Sequence, residues 1–143
     1  MSAKFGVGIN VAKTAKEIVS DARIINTITN SGSPIFSLKE LSDEFYLNFA
    51  GANLPFGRKV DRDVLEGIDI IIAEHFEQAL RESAEIADYF VSYGRVKIIE
   101  LKDILASGRD YNIRWSVFKS TRTGREDIAS AYLVLKKIGL YWD

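Results

Sequence analysis

Apolar positions fall into several rhythms along this chain, and the longest runs from Asp61 to Tyr93. There Val64, Leu65, Ile68, Ile71, Ile72, His75, Phe76, Ala79, Leu80, Ser83, Ile86, Ala87 and Phe90 recur at the three-and-four spacing of one broad helical face. Glu66, Asp69, Glu74, Glu77, Glu82, Glu85 and Asp88 fall on the opposite side, where Arg81, four residues after Glu77, answers them. Asp61 suits the N-cap and Gly94 a left-handed end. The pattern predicts one helix over about 61–93, roughly 45 Å long at the usual rise per residue. A compact domain of 143 residues does not need that length to cross its core, so part of the helix is expected to meet another subunit.

Shorter rhythms precede it. Phe5, Val7 and Ile9 alternate with Gly6 and Gly8, a short strand or arm. A helix is expected from near Val11, striped by Val11, Ala15, Ile18, Ala22 and Ile25, with Thr14 and Glu17 as a capping box and Asn30-Ser31-Gly32 as its end. Gly6-Val7-Gly8 ahead of a helix raises an anion-binding reading. A dinucleotide turn wants a full strand first and a third glycine, and the next glycine is Gly32, so a flexible arm is the better account. After Ser33-Pro34, Ser37 and Glu40 form a second capping box for a helix through about Phe49, with Leu38, Leu41 and Phe45 inward. The following loop carries Leu54 and Phe56, which must be buried beneath it or in a partner.

Beyond the long segment, Val96 to Leu101 reads as a strand and residues 102–108 as a helical turn or hairpin connection. Tyr111, Ile113, Trp115 and Val117 alternate with Asn112, Arg114 and Ser116, giving a half-buried strand antiparallel to the first. Thr123 and Glu126 open a last helix with Ile128, Ala131, Tyr132, Leu135 and Ile138 on one face, Lys136 and Lys137 at its negative end and Gly139 beyond. The tail Leu140-Tyr141-Trp142-Asp143 is apolar, and burial of Tyr141 and Trp142 is expected. No repeat or linker divides the chain. The expected fold is a single α+β domain over 1–143, mostly helical, with three to four helices, the long central helix (about 61–93) and a small antiparallel β-hairpin (about 95–119).

Charge alters this picture. The near-neutral total hides balances of +2 over residues 1–60, −7 over 61–93 and +4 over 94–143, which suits an acidic face docking a basic one, within or between chains. Candidate chemistry is sparse. The absence of cysteine removes thiolate nucleophiles and sulfur-based metal sites. The single histidine, His75, has Ile71 and Ala79 four residues away, so no helical metal pair forms. No nucleophile elbow, cofactor motif or metal site is visible, and no apolar run reaches membrane-spanning length. An intracellular soluble location, or one within a virion or other assembly, is expected.

These features point to a non-catalytic subunit of a larger, homo-oligomeric assembly and not to an enzyme. Glu74, Glu77, Glu82, Glu85, Leu54, Phe56, Tyr141 and Trp142 are the expected partner contacts. In layout the chain resembles viral head-to-tail connector and tail-completion ring subunits. The alternative is nucleic-acid binding through Arg109, Arg114, Lys119, Arg122 and Arg125, interleaved with Trp115 and Phe118. Residues 37–45 resemble, in outline, the first helix of a winged helix-turn-helix. The acidic helix would repel phosphates, so contact would run through the basic strand.

Overall fold

The computed structural model describes residue 4 and residues 6–51, 60–108, 111–121 and 124–140. Its elements are α1 (Ala15–Val19), β1 (Ile24–Thr29), a 3-10 turn (Leu38–Glu40), β2 (Phe45–Gly51), α2 (Arg62–Gly67), β3 (Ile70–Ala73), α3 (Phe76–Glu82), α4 (Ala84–Tyr93), β4 (Ile98–Glu100), α5 (Leu101–Ser107), β5 (Trp115–Lys119) and α6 (Gly124–Lys137). The strands form one sheet in the order β1-β2-β5-β3-β4, and every pairing is parallel.

This overturns the mostly helical α+β expectation and both of its central features. The helix over 61–93 is interrupted by β3, because Ile70-Ile71-Ile72-Ala73 is a short continuous apolar run that suits a strand buried in a parallel sheet as well as a helical stripe. Two helices follow β3, joined at Ser83, the C-cap of α3 and N-cap of α4. The hairpin over 95–119 is not antiparallel: β4 and β5 are not neighbours, and β3 lies between them. The helices expected over Val11–Ile25 and Ser37–Phe49 shrink to a five-residue helix and a 3-10 turn, each followed by a strand.

Two rows of side chains cross the core face. Ile25, Leu47, Val117, Ile71 and Ile98 form the first, and Thr27, Phe49, Lys119, Ala73 and Glu100 the second, all buried. Val64, Leu65, Ile68, Phe76, Ala79, Ile86 and Tyr89 of the helical segments pack on that side. The reason is one of direction: β1, β2, β3 and β4 succeed one another across the sheet in one sense, so right-handed crossovers put their connections on one face. The step from β4 back to β5 runs the other way and carries α5 to the opposite face, where it buries no residue.

The local stop and start signals stand, although most delimit other elements than those expected. Thr14 Oγ1 accepts from the Glu17 N–H at 3.3 Å, and Glu40 Oε2 accepts from the Ser37 N–H at 3.0 Å. Gly94 and Gly139 both hold positive φ, 64° and 72°. At the amino ends of the strands, Asp69 Oδ2 accepts from the backbone N–H groups of Arg114 and Trp115, each at 3.0 Å. Trp115 Nε1 donates to the Asp43 carbonyl at 2.6 Å and its ring stacks on Phe45, which fixes this end of the sheet. The last helix, α6, keeps its predicted position but has no buried residue.

Candidate functional site

In open parallel sheets, ligands bind in the crevice outside the carboxyl ends of the strands. Here that rim is polar. β1 runs out into Thr29-Asn30-Ser31-Gly32-Ser33, a turn in which Ser31 Oγ donates to the Ser33 carbonyl at 2.7 Å. β5, the central strand, ends in Lys119-Ser120-Thr121, and all three residues are buried.

Neighbouring strands hold the β5 end in place. The Ser120 N–H donates to the Phe49 carbonyl on β2 at 3.1 Å, and the Glu74 N–H donates to the Lys119 carbonyl at 3.2 Å. Glu74, just past β3, accepts on one carboxylate oxygen from the Thr121 N–H at 2.8 Å, Thr121 Oγ1 at 3.1 Å and Ser120 Oγ at 3.4 Å. Gln78 Nε2 of α3 donates to the Thr121 carbonyl at 3.3 Å. The rim is thereby clamped to both flanking strands, so it presents fixed rather than wandering polar groups.

An open cleft of about 650 Å³ lies over the β3 and β4 ends, lined by Glu74, His75, Gln78, Lys102, Arg125 and Glu126 among others. The stripe put His75 in the core or at an interface, and the structure removes it from the core. It is exposed at the N-cap of α3, and its Nδ1 accepts from the Gln78 N–H at 3.4 Å. Glu126 in the first turn of α6 comes close enough to Glu74 for the two carboxyls to interact. Burial, then the neighbouring Glu74 charge, push the Glu126 carboxyl above its ordinary value. A raised folded value means that the protonated fold is the favoured one. The stabilising contribution is complete below the ordinary value of 4.5 and is lost as pH rises through the folded value. Glu126→Gln should therefore stabilise the fold at neutral pH, by less than about 1 kcal/mol after solvent screening, read as a higher melting temperature. That gain should vanish in acid; equal gains at both pH values would refute a raised Glu126 carboxyl.

The residues singled out from sequence scatter. Glu77 is exposed, Glu82 is half-buried and accepts from Gln78 Nε2 at 3.1 Å, and Glu85 is buried with Ser83 Oγ donating to it at 2.9 Å. Arg114 stands at the amino end of β5 and donates to the Asp43 carbonyl, whereas Arg125 lines the cleft at the other end and Lys119 is buried between. Leu54, Phe56, Arg109, Arg122, Tyr141 and Trp142 lie outside the described residues. Among the described residues no group of three His, Cys, Asp or Glu could hold a metal ion, and no helix is long and apolar enough to cross a membrane. Sequence reasoning missed the rims at Thr29–Ser33 and Lys119–Thr121. A signal was present: the β-branched run Ile24-Ile25-Asn26-Thr27-Ile28-Thr29 followed by Asn-Ser-Gly-Ser is strand chemistry leading into a turn.

Comparison with known proteins matches residues 1–139 to the model of the ornithine cyclodeaminase/mu-crystallin family. A Δ(1)-pyrroline-2-carboxylate reductase of Bacillus thuringiensis subsp. konkukian is 30% identical over 141 residues, covering 94% of this chain and 43% of that protein. The crystal structure of a probable ornithine cyclodeaminase from Bordetella pertussis aligns with TM-score 0.79 and 28% identity, over 91% of this chain and 43% of that one. The Thermococcus litoralis Δ(1)-pyrroline-2-carboxylate reductase, solved with NADH and L-proline, shares the fold with TM-score 0.81 at 23% identity, over 95% and 44%. The chain thus spans less than half the length of the relatives it matches. These findings overturn the expectations of a non-catalytic assembly subunit, of a viral ring component and of a chain that is no enzyme, because the relatives are reductases and a probable cyclodeaminase. The winged-helix alternative falls with its hairpin, which the parallel sheet replaces.

Proposed function

Since this chain belongs to the ornithine cyclodeaminase/mu-crystallin family, we propose that it forms part of the nicotinamide-dinucleotide-binding fold of a reductase acting on a small cyclic imino acid, Δ1-pyrroline-2-carboxylate being the first candidate. The observation that carries this reading is the clamped polar rim at the carboxyl ends of an all-parallel sheet.

The donor set fits such a cofactor. Thr29, Asn30, Ser31 and Ser33 offer neutral hydroxyl and amide groups at the end of β1, suited to ribose hydroxyls and a carboxamide. The carboxylates Glu74 and Glu126 lie instead past β3 and at the start of α6, with β2 and β5 between β3 and β1. Gly6-Val7-Gly8 does not build the phosphate-binding turn, since among the described residues no strand leads into it and α1 begins only at Ala15. A bound reduced nicotinamide would supply hydride to the C=N carbon of the imino acid. This chain's residues would orient the ring end of the cofactor against a rigid rim and keep that rim from yielding.

The test is turnover by the protein purified with whatever polypeptide it assembles with. Adding Δ1-pyrroline-2-carboxylate should consume NADH or NADPH absorbance and yield proline. If neither cofactor is consumed, the reading is wrong.

A further inference from the structure

The cleft over the β3 and β4 ends carries an inference of its own. Its volume of about 650 Å³ lies within the range of about 300–1,000 Å³ that small-molecule sites occupy. It is also distinct from the crevice at the end of β1, because β2 and β5 stand between β1 and β3, a separation of roughly 14 Å at the usual strand spacing. Three elements meet around it: the start of α3 after β3, the start of α5 after β4, and the first turn of α6.

The walls offer three unlike kinds of contact. Glu74 and Glu126 put two carboxyls close together, and burial, then the Glu74 charge, push the Glu126 carboxyl up, as happens where positive charge is short. Arg125 stands beside Glu126 on α6, and no described residue forms an ion pair with it, whereas Lys102 is committed to Glu100 at 2.7 Å. His75 adds a second donor: its Nδ1 accepts from the Gln78 N–H at 3.4 Å, so with the ring neutral the proton sits on Nε2. Leu105 and Ile128 line the same cleft and are 74% and 72% exposed. Aliphatic side chains in a concave wall gain by being covered.

We propose that this cleft binds a free α-amino acid with an aliphatic side chain: its carboxylate against Arg125 and His75, its ammonium between Glu74 and Glu126, and its side chain over Leu105 and Ile128. A zwitterion suits the walls because it answers both signs of charge and adds no net charge. A simple anion would meet the two carboxyls, and a simple cation would leave Arg125 unanswered. The occupant is felt at the rim, since the Glu74 carboxylate also holds the Thr121 N–H and the Ser120 hydroxyl. The proposal rests on the charge layout of the cleft and not on the reductase reading. If that reading holds as well, an amino acid, the class of its product, adjusts the rim from this cleft.

The experiment is an amide NMR titration of the isotope-labelled protein with L-leucine, with leucinamide, which lacks the carboxylate, and with isocaproate, which lacks the ammonium. L-Leucine should bind saturably, shift the amide signals of Thr121, Arg125 and Glu126, and bind about tenfold more tightly than either fragment. Arg125→Met should weaken L-leucine about tenfold and leave leucinamide unaffected, whereas Glu126→Gln should weaken L-leucine and leave isocaproate unaffected. Both side chains are exposed, so neither variant should disturb folding. No saturation by L-leucine, equal binding of either fragment, or indifference to either substitution would overturn the proposal. No cofactor or imino acid enters the titration, so a bound amino acid on a protein that never consumes NADH or NADPH would retire the imino-acid reading and leave the cleft intact.

Discussion

Phe49→Ala is expected to destabilise this protein by about 3–5 kcal/mol, the usual cost of emptying a large aromatic from a core. Phe49 is 1% exposed and lies on the core face of β2, between Thr27 of β1 and Lys119 of β5. With strands on both sides and helices above, the site has little freedom to collapse, so the cavity term adds to the lost transfer energy. A single domain is stable by about 5–15 kcal/mol, and the loss is a large share of that. The Phe49 carbonyl also accepts from Ser120, so loosening here should reach the carboxyl-end rim before the whole chain unfolds. Equilibrium urea denaturation with an unchanged slope measures the effect. A loss below about 1 kcal/mol would show that Phe49 is not packed as described.

Glu100→Ala should follow, at about 1.5–3 kcal/mol, the range for a hydrogen bond to a charged group. Its side chain is 9% exposed where β4 ends. One oxygen accepts from the Phe76 N–H at 2.9 Å, and the other pairs with Lys102 Nζ at 2.7 Å and Arg95 at 3.7 Å. Lys102 and Arg95 are themselves exposed, so the ion pairs contribute little and the orphaned Phe76 N–H at the start of α3 dominates. The Lys102 hydrogen bond, then that of the Phe76 N–H, hold this carboxyl below its ordinary value. With a depressed folded value, the contribution is complete above the ordinary 4.5 and is lost as pH falls through the folded value. The wild type should therefore lose stability in acid more steeply than Glu100→Gln. Parallel pH profiles for the two would sink this account.

Glu100 also shows why part of the site was illegible. In sequence it is one carboxylate among many, at the end of a three-residue strand. Its burial arises because β4 sits beside β3 and brings the carboxylate to the Phe76 N–H, 24 residues earlier in the chain. The clamp on Ser120 and Thr121 is likewise made by Glu74, a residue that periodicity placed on a solvent stripe. Both contacts join distant segments, and no window of neighbouring residues contains them.

What the sequence determined by itself was the punctuation. Thr14, Ser37 with Glu40, Gly94 and Gly139 act through hydrogen bonds and φ angles a few residues away, so they hold in whatever fold surrounds them. The final helix was legible for the same reason, since its stripe and its stop at Gly139 are local, while Thr123 of its expected capping box lies outside the described residues. Only the tertiary structure decided that Ile70–Ala73, Phe45–Gly51 and Ile24–Thr29 are strands, and that their neighbours run parallel. A strand covered on both faces loses the alternation that would announce it, and its apolar run then matches a helical stripe over so short a length. Hydrogen bonds to strands far away in the chain break the tie, and those partners are chosen by packing rather than by adjacency.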